Sequence, residues 1–132
     1  MTLSPDLTAR DRSRRGQEAD RRGRSAEDAA QSALERDGWS ILARRLRTSA
    51  GEIDMVVEKD GLLAVIEVKA RPRLADAAVA LSIRQQARLI AATDIILATH
   101  PHWGVEGVRF DLVLVDGTGV VRRIADAFRG NG

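Results

Sequence analysis

Two apolar-rich runs flank the dipeptide Asp60-Gly61 within residues 51–71. An Asp-Gly pair between such runs is one of the strongest short signals for a β-hairpin with a two-residue turn. That turn sets a register in which Asp54 lies opposite Glu67, and directly opposed side chains of an antiparallel pair point to the same side. Lys69 follows Glu67 by two residues, so the period of a strand places it on this side too. The pattern therefore predicts a hairpin that gathers two carboxylates and an ammonium group.

The opposite face of this hairpin is predicted to be a core surface. It carries only apolar side chains, namely Ile53, Met55, Val57, Ala64, Ile66 and Val68. Apolar residues also flank Glu67 closely in sequence, which indicates a central strand rather than a solvated edge. The charged face is therefore expected to be backed by a packed interior.

Two facing carboxylates call for a cation, because like charges directly opposite each other destabilise a sheet. Lys69 is one candidate, and a divalent metal such as Mg²⁺ is another, since carboxylate and carbonyl oxygens suit it. The spacing of Asp54, Glu67 and Lys69 is also the core pattern of PD-(D/E)xK nucleases. In that pattern the two acids and the carbonyl of the intervening residue, here Val68, hold the metal, and the lysine helps to orient and activate water.

The alternative interpretation is a surface hairpin whose charges happen to alternate, since 30% of the residues are charged. The choice of lysine argues against it. Only Lys59 and Lys69 are lysines among 21 basic residues, so arginine is the generic cation of this chain. Lysine differs in its compact charge and in a pKa that shifts readily on burial.

The remaining elements give the order αβββαββ and an α/β domain over residues 25–128. Ser25 is expected to cap the first helix, with Asp28 as its capping-box partner, and Gly38 to end it. Ser82 is expected to cap a second helix over residues 83–99. Further strands are predicted at residues 39–47, 109–115 and 120–125. The buried stripe of the second helix is predicted to be Ile83, Ala87, Ile90, Ala91, Leu97 and Ala98.

Several charged residues outside the hairpin allow two interpretations each. Arginines at the end of the first strand form either a phosphate-binding rim or a solvated strand end, and those of the second helix face either phosphates or water. The residues alone favour Glu27 as an ordinary first-turn glutamate, stabilised by the helix dipole. Residues 1–24 are expected to be a disordered basic arm, either a nucleic-acid tether or a solvated tail, and residues 129–132 a frayed end.

Composition excludes several classes of function. The chain of 132 residues has the length of one domain, and no run is long and apolar enough to predict a membrane span. It contains no cysteine, which excludes disulfides, thiolate metal sites and cysteine nucleophiles. No signal-type leader is visible, so a cytoplasmic protein is expected. A net charge of +2 permits nucleic-acid binding without indicating it, and the scarcity of aromatic residues argues against base stacking.

From about Gly23 to Phe128 the chain resembles the YraN family of small bacterial proteins. The motifs that carry the resemblance are Glu27, Gly51-Glu52-Ile53-Asp54, Val65-Ile66-Glu67-Val68-Lys69 with Arg71, and Arg109-Phe110-Asp111. The resemblance implies a restriction-endonuclease-like core, a mixed β-sheet flanked by helices, similar to that of archaeal Holliday junction resolvases. In those enzymes a helical glutamate joins the site, which implies such a role for Glu27. The second helix of related proteins usually carries a lysine where this chain has Gln85.

We therefore expect a Mg²⁺-dependent endonuclease (Mn²⁺ serving in its place) that hydrolyses phosphodiester bonds of DNA, on branched or recombination intermediates. The alternative is a non-catalytic nucleic-acid-binding accessory protein for repair or recombination, acting with a helicase or recombination protein. A homodimer is left open, and no membrane partner is expected. The catalytic set is Lys69, Glu67, Asp54 and Glu27, with metal held by Asp54, Glu67 and the Val68 carbonyl, and by Glu27 through a water. The expected phosphate contacts are Arg44, Arg45, Arg47, Arg71 and Arg88.

Overall fold

The computed structural model describes residue 21, residues 23–71 and residues 81–129. Its fold is α/β, and its elements follow the predicted order αβββαββ. They are helix α1 (residues 23–36), strands β1 (Ser40–Thr48), β2 (Gly51–Lys59) and β3 (Leu62–Ala70), helix α2 (Ile83–Thr99), and strands β4 (Gly107–Val115) and β5 (Val121–Phe128). Most of the predicted basic arm and of the frayed end lies outside the described residues.

The five strands form one sheet in sequence order, β1-β2-β3-β4-β5. Neighbouring strands are antiparallel, except that β3 and β4 run parallel. Parallel neighbours cannot be joined by a tight turn, so the chain returns between them through α2. The expected mixed sheet is thus present, and β3 lies at its centre.

The β2–β3 hairpin has the predicted register, which runs from Met55 opposite Ile66 to Lys59 opposite Leu62. Its turn residues have positive φ angles, +52° at Asp60 and +82° at Gly61. Two positive φ angles are the mark of a type I′ turn, whose twist matches that of the flanking strands. The turn therefore determines which side chains meet at the open end of the hairpin.

Two separate apolar clusters cover the two faces of the sheet. Met55, Val57, Ala64 and Ile66 pack with α1, and Val56, Leu63 and Val65 pack with α2. Both faces of the hairpin are therefore buried over most of its length, whereas the sequence had identified only one of them as core.

The predicted placement of Ile53 beside Met55 was wrong. Ile53 packs in the α2 cluster, next to its β1 partner Leu46. The alternation of β2 is interrupted opposite Arg45 on β1, whose φ of +49° lies in the left-handed region. This kink makes the paired strands exchange faces, which a strict two-residue period does not anticipate.

The start of α1 also differs from the prediction. The helix is already formed at residue 23, so Ser25 lies inside it and is not its N-cap. Asp28, the expected capping partner, accepts a hydrogen bond from Arg44 instead. Gly38 ends the helix as predicted, in the left-handed conformation that glycine adopts without strain.

Helix α2 has the predicted bounds and the predicted N-cap. The Ser82 hydroxyl accepts the N–H of Gln85 at 3.1 Å, and the Gln85 side chain accepts the Ser82 N–H at 3.0 Å. This reciprocal pair is a capping box, which commits the Gln85 side chain to the start of the helix. No helix among the described residues is long and apolar enough to cross a membrane.

The buried stripe predicted for α2 was wrong in its centre, by more than a third of a turn, and only Ile90 and Leu97 of the predicted residues pack against the core. The residues that face the sheet are Leu89, Ala92, Thr93 and Ile96, whereas Ile83 is 84% exposed. At 100° per residue, Asp94 lies at the middle of the predicted stripe, and a charge there argues against burial. Thr93 is tolerated in the core because its hydroxyl donates to the Leu89 carbonyl at 2.7 Å.

Candidate functional site

Asp54 and Glu67 come together at the open end of the β2–β3 hairpin. The Val68 N–H donates to Asp54 Oδ2 at 2.8 Å, so an aspartate side chain bridges the two strands beyond their last paired residues. Glu67 is buried, with 6% of its surface exposed. Burial, and then the negative charge of Glu67, raises the pKa of Asp54 from 3.8 to about 7. The site therefore holds two carboxylates, and the ionisation of Asp54 is opposed in the protein alone.

Lys69 supplies one positive charge to this pair. Its Nζ lies 3.0 Å from Glu67 Oε1, and its side chain is 23% exposed. The predicted meeting of Asp54, Glu67 and Lys69 is thus seen in the structure. A single ammonium group bound to Glu67 leaves the Asp54 carboxylate without a cation in these contacts.

The donor set fits a hard divalent cation. Carboxylate and carbonyl oxygens, completed by water, are the ligands that Mg²⁺ takes in proteins. The N–H and C=O of one strand residue point towards the same neighbour, so the Val68 carbonyl is directed to the side on which Asp54 lies. Among the described residues, no three Asp, Glu or His side chains cluster closely enough to hold a metal ion. The described residues therefore offer two carboxylates and one carbonyl as metal ligands.

Glu27 lies close to this site, but its carboxylate is bound to arginines. It is buried, with 7% of its surface exposed, so it is no solvated first-turn glutamate. Its Oε2 accepts Arg44 at 3.2 Å and Arg45 at 2.8 Å. Arg44 also donates to Asp28 and to Gln31 on the same helix. The predicted phosphate contacts Arg44 and Arg45 thus have carboxylate partners inside the fold.

Asp28 and Gln31 were not predicted as part of this cluster. Helical neighbours lie three and four residues apart, so Glu27, Asp28 and Gln31 share one side of α1. That spacing, together with the Arg44-Arg45 pair on the next strand, was the available signal. What the sequence could not show was the positive φ of Arg45, which turns both arginines towards α1.

The other predicted phosphate contacts are spread around the same end of the sheet. Arg47 has 89% of its side chain accessible and lies 3.7 Å from Glu52. Arg71 donates to the carbonyl of Ala70 directly after β3. Arg88 projects from α2 over the start of β2.

Gly51 explains how Arg88 reaches this end. A Cβ built on Gly51 would lie 2.7 Å from Arg88 Cδ, so the arginine stem crosses the strand where glycine leaves room. Gly51 also has a φ of +143°, which other residues rarely adopt. Gln85 is used in the helix cap, whereas Arg88 brings a cation from α2 to this end of the sheet.

The Arg109-Phe110-Asp111 motif has a structural role. Asp111 is 1% exposed and binds Arg109 through two hydrogen bonds of 2.8 Å. It also accepts the N–H of Asp126 at 2.9 Å, where β5 bulges away from β4. This motif therefore fixes the β4–β5 edge and belongs to no part of the Asp54–Glu67 site.

A cleft of about 530 Å³ opens on the α1 side of the sheet, at the ends of β3 and β4. It is bordered by Ala26 and Ala29 of α1, by Arg71, and by the loop that follows Val115. None of the described carboxylates of the candidate site lines it. The cleft adjoins the site in sequence, directly after Lys69, without being the site.

A family model described as "Uncharacterised protein family UPF0102" matches residues 26–115. The chain belongs to the UPF0102 family. A UPF0102 protein of Granulibacter bethesdensis is 63% identical over 115 residues, covering 87% of this chain and 73% of the relative. One of Azorhizobium caulinodans is 47% identical over 128 residues, covering 97% and 95%. YraN is a UPF0102 protein, so the resemblance to that family is confirmed.

Membership of UPF0102 does not by itself assign an activity, a substrate or a cofactor. The matched region contains Glu27, the whole β2–β3 hairpin and the Asp111 motif, so the family resemblance extends over the entire candidate site. The geometry of the site is therefore the basis for assigning its function.

Proposed function

We propose that this UPF0102 protein is a metal-dependent nuclease that hydrolyses phosphodiester bonds of DNA. The observation that carries the proposal is the Asp54–Glu67 pair at the open end of a central hairpin, with Lys69 3.0 Å from Glu67. A fold gains no stability from placing half-buried Asp54 against buried Glu67, since their charges repel each other, so such a pair is typical of a functional site. The spacing of Asp54, Glu67 and Lys69 matches the PD-(D/E)xK pattern, and this match and the resemblance both support the proposal.

Asp54, Glu67 and the Val68 carbonyl would hold Mg²⁺ or Mn²⁺. A metal ion so held supplies Lewis acidity: it makes water a better nucleophile at neutral pH and offsets charge on the phosphate. The protein contributes a rigid geometry, because the strand pairing and the Val68 N–H fix the Asp54 carboxylate. Ionisation of Asp54, which burial and the charge of Glu67 oppose in the protein alone, becomes favourable when a dication neutralises the charge.

Lys69 would act on the reacting groups directly. Its ammonium group donates three hydrogen bonds and is compact, so it can hold a water in line with the scissile bond and stabilise negative charge in the transition state. Its contact with Glu67 keeps it at the site before substrate arrives. Glu27 would orient a further water, once its carboxylate is available.

DNA would be bound mainly through its phosphates. Arg47, Arg71 and Arg88 surround this end of the sheet, and arginine pairs with phosphate through two hydrogen bonds. Such contacts position a nucleic acid and carry no sequence information. The implied likeness to junction resolvases makes branched DNA the substrate class to test first.

The experiment is a cleavage assay on labelled four-way junction, flap, linear duplex and single-stranded DNA, with Mg²⁺, Mn²⁺ or EDTA. Wild type is compared with Glu67→Ala and Lys69→Met. The matched control is Lys59→Met, which removes the second lysine from the other end of the same hairpin, where it donates to the Asp37 carbonyl. We expect metal-dependent cleavage by wild type and Lys59→Met, and none by Glu67→Ala or Lys69→Met.

DNA binding by Lys69→Met, measured by fluorescence anisotropy, should stay close to that of wild type. Cleavage that survives in Lys69→Met would remove the assigned role of the lysine. Binding without cleavage by wild type under every condition would overturn the nuclease and favour the accessory nucleic-acid-binding protein, with the site completed by a partner.

A further inference from the structure

The Glu27–Arg45 ion pair links the candidate site to the arginines expected to bind DNA. Glu27 is buried and gives the same carboxylate oxygen to Arg44 and Arg45. It is near enough to Asp54 for its charge to act on that carboxylate. Yet in the protein alone it forms no three-acid cluster with Asp54 and Glu67. Glu27 therefore lies beside the site, and its carboxylate is bound to the two arginines.

The backbone of Arg45 is arranged to make this contact. Its φ of +49° is uncommon for a residue other than glycine, and residues held in such conformations concentrate at functional sites. The kink turns Arg45 to the same side as Arg44, so both reach α1. About a third of the Arg45 side chain, 33%, remains accessible to solvent. The guanidinium group can thus be approached from outside while it holds Glu27.

A phosphate and the Glu27 carboxylate compete for the same donors. Both are oxyanions that arginine binds through paired hydrogen bonds, and the Arg45 Nε–H already donates to Glu27 at 2.8 Å. We propose that Arg45 is a positioning residue that withholds Glu27 from the metal site until a DNA phosphate takes its guanidinium group. The inference rests on the proposed function and adds its regulation by substrate.

The exchange must be concerted because Glu27 is buried. Losing a cationic partner destabilises a buried carboxylate, and Arg44, which stays on the same Glu27 oxygen, is already shared with Asp28 and Gln31. Glu27 is therefore expected to leave Arg45 only if another cation receives it. A divalent metal at Asp54 and Glu67 is that cation. Phosphate and metal should therefore each increase the affinity for the other, and linkage requires the two factors to be equal.

The test measures Mn²⁺ affinity by electron paramagnetic resonance, with and without a short DNA duplex, in the Lys69→Met background so that the duplex stays intact. The reciprocal measurement is duplex affinity with and without Mn²⁺. We expect the duplex to raise Mn²⁺ affinity by about tenfold, a usual size for coupled sites. A DNA phosphate that binds the metal directly raises Mn²⁺ affinity in every variant. Comparison of the variants therefore isolates the part of the increase in Mn²⁺ affinity that Glu27 contributes.

Glu27→Gln should lose most of the gain, because no released carboxylate joins the site. Arg45→Gln should bind Mn²⁺ several-fold more tightly than the background without DNA, and the duplex should add at most about twofold. Arg45→Lys, which keeps the charge, should restore part of the gain. The control is Arg36→Gln, which removes an exposed arginine from α1, the helix that carries Glu27. It should leave the increase in Mn²⁺ affinity unchanged.

If Arg45→Gln fails to fold, the double variant Glu27→Gln/Arg45→Gln removes both charges and must show the same small gain as Glu27→Gln. A gain that persists in full in Glu27→Gln would overturn the inference, since the ion pair would then be structural only. Loss of Mn²⁺ affinity by Glu27→Gln without DNA would also overturn it, by making Glu27 a permanent ligand. Absence of Mn²⁺ binding by every variant would instead refute the proposed nuclease.

Discussion

Replacing Asp54 by asparagine should stabilise the metal-free protein. The pKa of Asp54 is raised to about 7, because burial and the charge of Glu67 disfavour its ionised form. Asparagine cannot ionise, but its side-chain oxygen can still accept the Val68 N–H that Asp54 accepts at 2.8 Å. The substitution thus removes the repulsion and keeps the hydrogen bond.

The size of the effect follows from the difference in pKa. Each pKa unit corresponds to about 1.4 kcal/mol, so a rise from 3.8 to about 7 gives an upper limit of about 4 kcal/mol. Water reaches part of the Asp54 side chain, and Lys69 offsets part of the charge of Glu67. We therefore expect Asp54→Asn to raise the free energy of unfolding by about 2 kcal/mol. For a domain of this size that corresponds to a rise in Tm of about 8 °C.

The stabilisation by Asp54→Asn should depend on pH. A carboxylate whose folded pKa is raised binds its proton more tightly in the folded state than in the unfolded one. Wild type therefore loses stability as the pH rises from the unfolded value, 3.8, to the folded value, about 7, and the loss is complete above that. The advantage of Asp54→Asn should be below about 1 kcal/mol at about pH 5 and reach its full size at about pH 8.

The assay is urea unfolding followed by circular dichroism, in EDTA at both pH values. Asp94→Asn, which changes an exposed aspartate on α2, is the matched control and should have no such pH-dependent gain. Added Mg²⁺ should then stabilise wild type and not Asp54→Asn, because only wild type keeps both charged ligands. Equal stability of the two proteins at about pH 8, or an advantage of the same size at both pH values, would refute the reasoning.

Three further predictions concern the scaffold around the site. Asp111→Ala should lower the free energy of unfolding by about 2–3 kcal/mol in urea unfolding, because it removes a buried carboxylate that accepts from half-buried Arg109 and from the Asp126 N–H. A loss below about 1 kcal/mol would contradict that role. Gly51→Ala should weaken duplex binding in anisotropy measurements, since its Cβ displaces Arg88; unchanged affinity would remove Arg88 from the DNA contacts. Leu89→Ala should lower the free energy of unfolding by about 2–5 kcal/mol in thermal unfolding, whereas Ile83→Ala should lower it by less than about 0.5 kcal/mol. The reverse order would contradict the observed buried face of α2.

The hairpin could be predicted from the sequence because every signal in it is local. The Asp60-Gly61 turn and the alternation around it determine the register as far as Met55 opposite Ile66. That register brings Asp54 and Glu67 to the open end of the hairpin, where Asp54 accepts the Val68 N–H. The order of elements was accessible for the same reason. Short-range patterns are enough where neighbouring residues determine the geometry.

The errors arose where distant residues decide the structure. The kink at Arg45 moved Ile53 to the other face, and nothing near Ile53 in sequence indicates it. Glu27 could be placed near the site only through the family resemblance, because its burial depends on two arginines from the following strand. A helix face depends on the sheet it meets, so the stripe of α2 was misassigned even though its ends were right.

The topology of β3 has a consequence for the order in which the chain folds. β3 meets β2 across a two-residue turn, whereas its parallel pairing with β4 requires the chain to pass through α2 first. Local pairings form with the smaller loss of chain entropy, so the hairpin is expected to be in place when the folding barrier is crossed. The repulsion between Asp54 and Glu67 then acts on the transition state as well as on the native state. Its removal by Asp54→Asn would accelerate folding and leave the unfolding rate nearly unchanged.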